Sequence, residues 1–157
     1  MRILGIDPGT RVVGYGIVDK VAGDFKAVTW GAISVRSSKD MTERLLEIHQ
    51  GLTKVIEEYK PDEVALEGAF FGKSAKAALR IGQGQGAAIL TAALSGLPVT
   101  LYAPREAKKA VVGSGSASKE QVQRMVQVIL GLKEPPKPLD AADALSIAIC
   151  HAHRHRD

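Results

Sequence analysis

Apolar residues recur along this chain with two different periods, and the switches between them divide it into strands and helices. Residues 2–7 are a short apolar run closed by a carboxylate, Asp7, and then by a Pro8-Gly9 turn, the pattern of a buried strand. Residues 14–18 and 27–35 predict a second and third strand, and the short Gly- and Asp-containing turns between them favour antiparallel neighbours. Asp40, with Glu43 three positions on, offers an N-cap, and Leu45, Ile48, Leu52, Val55, Ile56 and Tyr59 follow at helical spacing. A helix over 41–59 is therefore predicted, and Pro61 prevents its continuation. Val64-Ala65-Leu66-Glu67 is a fourth strand, 74–95 an Ala-rich helix, and 98–102 the last strand. A short basic helix over 105–112, a flexible Gly-Ser loop over 113–118 and a Ser118-capped helix over 119–130 come next. Glu134-Pro135-Pro136-Lys137-Pro138 stops regular structure before a final helix that opens at Leu139. With no internal repeat and no linker, the pattern predicts one domain over 1–157 of α/β class. Its sheet is mixed and five-stranded, three antiparallel strands followed by two parallel ones, flanked by helices.

Two of these strands end in acids. The helix between strands 1 and 4 makes a βαβ connection, so their carboxyl ends share one edge of the sheet and Asp7 stands beside Glu67. Open α/β sheets bind ligands at that edge. Taken singly, each acid has a plainer reading: Asp7 as the opener of an Asp-Pro-Gly turn, Glu67 as a satisfied ion pair. Asp140 and Asp143, three apart, share one face of the final helix. The helix dipole accounts for an acid at Asp140; it accounts less well for Asp143, which is set among Ala141, Ala142, Ala144, Leu145 and Ile147. His151, His153 and His155 alternate near the C-terminus and read as a solvated tail, with metal ligation the lesser alternative.

Composition narrows the partners. Apolar residues make up 45% and charged residues 24%, ordinary for a water-soluble domain, and no apolar run approaches the roughly 18 residues of a membrane span. The single cysteine, Cys150, excludes an internal disulfide and, without an export signal, points to the cytoplasm. Net charge is +4, but residues 68–137 hold ten Lys/Arg against three acids, while Asp7, Glu67, Asp140 and Asp143 lie outside that basic stretch. A basic surface around a small acidic centre suits a polyanion handled at a metal site; solvated helix faces are the plain alternative. Phe70 and Phe71, beside Lys73 and Lys76, fit stacking on an unpaired base, or packing beneath their own loop. Gly82, Gly84 and Gly86 permit close approach of another helix or backbone, either a second copy of the chain or its own sheet.

Four gathered carboxylates cannot all ionise without cations, and all-oxygen ligands suit Mg²⁺ or Mn²⁺ rather than zinc. Two such ions activate water and stabilise the leaving oxygen in phosphodiester hydrolysis. A nucleic acid is then the expected substrate.

The stretches RILGIDPGT, PDEVALE, FFGKSAKAALRIGQGQG, AKKAVVGSGSASKEQV and LDAADALSIAICHAH, in this order and spacing, resemble the RuvC family of crossover junction endodeoxyribonucleases. These are bacterial Holliday-junction resolvases of RNase H-like fold, and the resemblance spans nearly the whole chain. It implies a homodimer that nicks a four-way DNA junction symmetrically, with two Mg²⁺ per subunit (Mn²⁺ substituting), and partnership with the RuvA–RuvB branch-migration complex. It also implies that Asp7, Glu67, Asp140 and Asp143 bind the metals, that Phe70 stacks on a base, and that Lys108 and Lys119 lie near the scissile phosphate. Lys73, Lys76, Arg80 and Lys109 complete the expected DNA contacts. Gly68 after the Glu and Ser74 after the Lys depart from the family pattern, which bears on base preference rather than catalysis. Three other readings compete. A YqgF-type RNA-processing nuclease shares the Asp-Pro-Gly strand but not the Phe loop and Asp-x-x-Asp helix. Actin-like ATPases share the Gly5–Thr10 turn but need a second domain. A non-catalytic junction binder would lack one of the carboxylates.

Overall fold

The computed structural model describes residues 1–35, 39–68 and 74–155. In chain order the elements are β1 (Arg2–Asp7), β2 (Val12–Val21), β3 (Asp24–Ser34), α1 (Met41–Tyr59), β4 (Glu63–Glu67), α2 (Ala75–Leu94), β5 (Val99–Tyr102), α3 (Pro104–Val112), α4 (Lys119–Ile129) and α5 (Leu139–Arg154). The five strands form one sheet in the order β3-β2-β1-β4-β5. β1–β2 and β2–β3 are antiparallel, β1–β4 and β4–β5 parallel, as the connection lengths predict.

The β2–β3 hairpin is longer than its apolar pattern. Asp19, Lys20 and Lys26 interrupt the alternation, yet they stay in the ladder as far as Val21↔Asp24. Ala22 and Gly23, both at positive φ (50° and 86°), close it with a two-residue turn that matches strand twist. Pairing across the hairpin carries these strand ends where burial does not. At the start of α1, the Asp40 side chain accepts the Glu43 N–H at 2.9 Å, the predicted cap.

Strand alternation sorts side chains onto two buried faces. Leu4, Ile6, Val13, Ile17, Val64 and Leu66 pack beneath α1 and α2. Ile3, Val18 and Ala65 face the other way, toward α3, α4 and α5. α5 lies across β1 and β2 on that second face, and glycines let it come close. A Cβ on Gly5 would sit 2.0 Å from the Ala144 carbonyl oxygen, and one on Gly14 2.0 Å from that of Asp140.

Two expectations need correction. The Gly-Ser segment is not a loose loop: Gly113 caps α3 in the left-handed conformation, the Ser114 and Ser116 hydroxyls are 3.0 Å apart, and Ala117 is buried in the core. Nor do the C-terminal histidines all belong to a solvated tail: α5 continues to Arg154 and His151 is only 2% exposed, whereas His153 stays exposed while its ring packs edge-on to Phe25 at 4.9 Å. The helix period places His151 one turn before His155, and the sheet covers the His151 position.

Candidate active site

β1 and β4 run parallel in register Ile6↔Leu66, which sets Asp7 and Glu67 side by side at the carboxyl edge of the sheet. Both side chains project to the α5 face, with Gly5 and Ala65 two residues before them. α5 begins above this edge, with Asp140 in its first turn and Asp143 on the same face. α4 contributes Lys119. A capping box, in which Ser118 Oγ accepts the Gln121 N–H and Gln121 Oε1 accepts the Ser118 N–H, fixes the helix start and therefore Lys119. Lys119 Nζ lies 3.4 Å from Asp143 Oδ2.

Two adjoining hollows meet here. The smaller, about 110 Å³, is lined by Asp7, Glu67, Asp143, Lys108 and Lys119. The larger cleft, about 920 Å³, is lined by Asp7, Glu67 and Asp140, with Arg11, Arg80 and Arg105 on its walls. Asp7 and Glu67 thus border both spaces, Asp143 only the first and Asp140 only the second.

Crowding of like charge shows in the protonation of the group. Burial, a hydrogen bond with Glu67 and the charge of Glu67 push the Asp7 carboxyl up to about 9, against the pull of Lys119. Burial and then the Asp7 charge raise Asp143 to about 6, again opposed by Lys119. Burial alone would lower Lys119, but the fields of Asp143, Asp7 and Asp140 outweigh it and raise its pKa. At neutral pH Asp7 therefore keeps its proton, in a place that a cation would take. An all-oxygen donor set of crowded carboxylates fits a hard divalent ion such as Mg²⁺ or Mn²⁺.

Of the residues singled out from the sequence, Asp7, Glu67, Asp140, Asp143, Lys108, Lys119 and Arg80 come together around these hollows. Lys76 and Lys109 are exposed on α2 and α3 and line neither. Phe70 and Lys73 lie outside the described residues. Lining residues not foreseen as site residues include three with long polar or cationic side chains. Arg11 stands in the β1–β2 turn and Arg105 at the start of α3, and Gln85 of α2 donates to the Glu67 carbonyl at 3.4 Å.

A family model described as crossover junction endodeoxyribonuclease RuvC matches residues 3–151. The chain is 51% identical over 152 residues to the protein of that name from Moorella thermoacetica, covering 97% of this chain and 91% of the relative. It is 48% identical over 156 residues to the one from Syntrophomonas wolfei, covering 99% and 91%. Among solved structures, T. thermophilus RuvC in complex with a Holliday junction substrate superposes with a TM-score of 0.89 at 38% identity, covering 97% of this chain and 93% of that one. The chain therefore belongs to the RuvC family of crossover junction endodeoxyribonucleases.

Proposed function

We propose that this protein acts in homologous recombination and DNA repair by resolving four-way DNA junctions, placing paired symmetric nicks through divalent-metal-dependent hydrolysis. The observation that carries this reading is the meeting of Asp7, Glu67, Asp140 and Asp143 beside Lys108 and Lys119, at the mouth of a cleft walled by arginines. Asp7, Glu67, Asp140 and Asp143 hold two Mg²⁺ per subunit, and Mn²⁺ substitutes. The division of the carboxylates between two adjoining spaces, with Asp7 and Glu67 common to both, supports two ions rather than one. Bound there, the ions supply an activated water and neutralise the leaving oxygen. Lys119 balances the carboxylate charge and, with Lys108, meets the phosphate. Arg11, Arg80 and Arg105 hold flanking backbone phosphates, and Lys73, Lys76 and Lys109 extend the basic surface. Phe70 stacks on a base at the opened centre of the junction.

Symmetric nicks need two active sites, hence a homodimer. The exposed side of α2 supports this. Leu79, Leu90 and Leu94 are 58–69% exposed, and a Cβ on Gly82 or Gly86 would meet nothing within 4 Å. Leu79, Gly82, Gly86 and Leu90 follow at helical spacing, an open apolar stripe on which a second copy of the helix can pack closely. Family membership supports partnership with RuvA–RuvB and a cytoplasmic site of action. Among the described residues no helix is long and apolar enough to cross a membrane.

The test is cleavage of a synthetic four-way junction in Mg²⁺ with each strand labelled in turn, beside linear duplex and structured RNA. Nicks at symmetric positions in the junction alone are expected. Cleavage of RNA with the junction intact would overturn the reading, as would junction binding without any cut in Mg²⁺ or Mn²⁺.

A further inference from the structure

The β4–α5 pairing that builds the carboxylate cluster has a second end. Glu63 and Glu67 are the first and last residues of β4 and project to the same side, toward α5. On α5, His151 lies two turns beyond Asp143, about 12 Å along the helix. There His151 Nε2 approaches Glu63 Oε2 at 2.7 Å, and His155 Nε2 approaches the same oxygen at 3.3 Å. The three donor atoms all lie within 4.8 Å of one another.

We propose that Glu63, His151 and His155 form a second metal site, for Zn²⁺ or a similar borderline divalent ion, that fastens the C-terminal end of α5 to the sheet.

Donor chemistry, spacing and support all suit that ion. Two imidazoles and one carboxylate are a zinc donor set, and they differ in kind from the all-oxygen cluster at the other end of the helix. Tetrahedral zinc with bonds of 2.0–2.1 Å holds its donors about 3.4 Å apart, close to the 3.3 Å between Glu63 and His155. Opening the 2.7 Å Glu63–His151 contact, with the two ring nitrogens no more than 4.8 Å apart, brings the three donors toward that geometry. His151 is already oriented as a metal-bound histidine is: its Nδ1 lies 2.7 Å from the Tyr102 hydroxyl, leaving Nε2 as the inward donor. Burial lowers the His151 pKa against the pull of Glu63, which favours the neutral, ligating imidazole. His155, with 40% of its side chain exposed, leaves an open side where water can fill a fourth position. The neighbouring cations are otherwise engaged. Arg154 reaches Glu106 at 3.3 Å and lies over the Tyr102 ring, and Lys20 donates to the His155 carbonyl. Without a metal, one carboxylate oxygen faces two ring nitrogens; with one, all three donors point at a common centre.

The experiment titrates metal-stripped full-length protein with Zn²⁺ in millimolar Mg²⁺, reading affinity by chelator competition and stability by thermal melting. Wild type is expected to bind one Zn²⁺ per chain at this site and to melt higher when it does. Asp7→Asn should retain that binding. His155→Ala and Glu63→Gln should each weaken it by roughly tenfold or more, the least loss expected when even a supporting contact is removed, and abolish the thermal shift. His155→Ala removes a partly exposed side chain at the helix end, so its melting point in chelator, near that of wild type, controls for folding. Undiminished Zn²⁺ binding in His155→Ala and Glu63→Gln, loss of binding in Asp7→Asn, or no binding by wild type would each overturn the proposal. None of these readouts depends on junction cleavage.

Discussion

Gly14 passes so close beneath Asp140 that a Cβ on it would lie 2.0 Å from the Asp140 carbonyl oxygen and 3.0 Å from the Asp140 Cβ. Gly14 is also the register partner of Asp7. Together with Gly5 on β1, this backbone position without a side chain sets the height of α5 above the strand that carries Asp7. Gly14→Ala is expected to lift the first turn of α5, costing about 1–3 kcal/mol of stability. Junction cleavage should fall by about a hundredfold, because misplacement near 1 Å is enough to lose that much. Denaturant melts and single-turnover cleavage check both.

Asp7→Asn is expected to abolish cleavage while junction binding survives, and gel-shift assays beside cleavage assays separate the two. Equal loss of both would make Asp7 chiefly structural.

The same substitution has a stability signature in metal-free protein. The folded chain holds the Asp7 proton up to about 9, whereas the unfolded chain releases it near 3.8. Between those values the unfolded state binds fewer protons, so stability falls as pH rises through the window. Asp7→Asn removes that loss. It should melt higher than wild type at pH 8, by of order 1–3 kcal/mol, with the difference vanishing toward pH 4. Melts in chelator at the two pH values test the sign, and added Mg²⁺ should narrow the gap.

Lys119 opposes the upward shift of both Asp7 and Asp143. Lys119→Met should therefore move both carboxyls higher and displace the cleavage–pH profile toward alkaline pH, with the deficit largest near neutrality. A uniform loss at every pH would mean that Lys119 acts on the phosphate alone.

Phe70→Ala should weaken junction cleavage while the dimer persists; unchanged rates would return Phe70 to the role of a packing residue. Gly86→Arg, on the open stripe of α2, should instead break the dimer and replace paired nicks by single ones. Sedimentation together with strand-specific labelling distinguishes the two variants.

Much of this architecture is legible one residue at a time. β1 and β4 each read as apolar runs ending in an acid, and the helical stretch between them makes the strands parallel, so Asp7 and Glu67 had to share an edge. Asp40 and Ser118 cap the helices they precede, as their spacing to Glu43 and Gln121 indicates. Lys109 stands beside Lys108 in the sequence, but successive helical residues point about 100° apart, and of the two only Lys108 lines the hollow. Arg11 and Arg105 belong to a turn and a helix start, where no periodicity marks an inward direction.

Periodicity and chain order thus suffice for the element sequence, the mixed sheet and the two acid-tipped strands. They report which way a residue faces relative to its neighbours, because backbone geometry repeats locally. They do not report what lies across the gap. That α5 rests on bare glycine backbone at Gly5 and Gly14, and that His151 and His155 meet Glu63, depends on the packing of segments separated by scores of residues. Those distances follow from the simultaneous fit of two surfaces, which no single stretch of chain encodes.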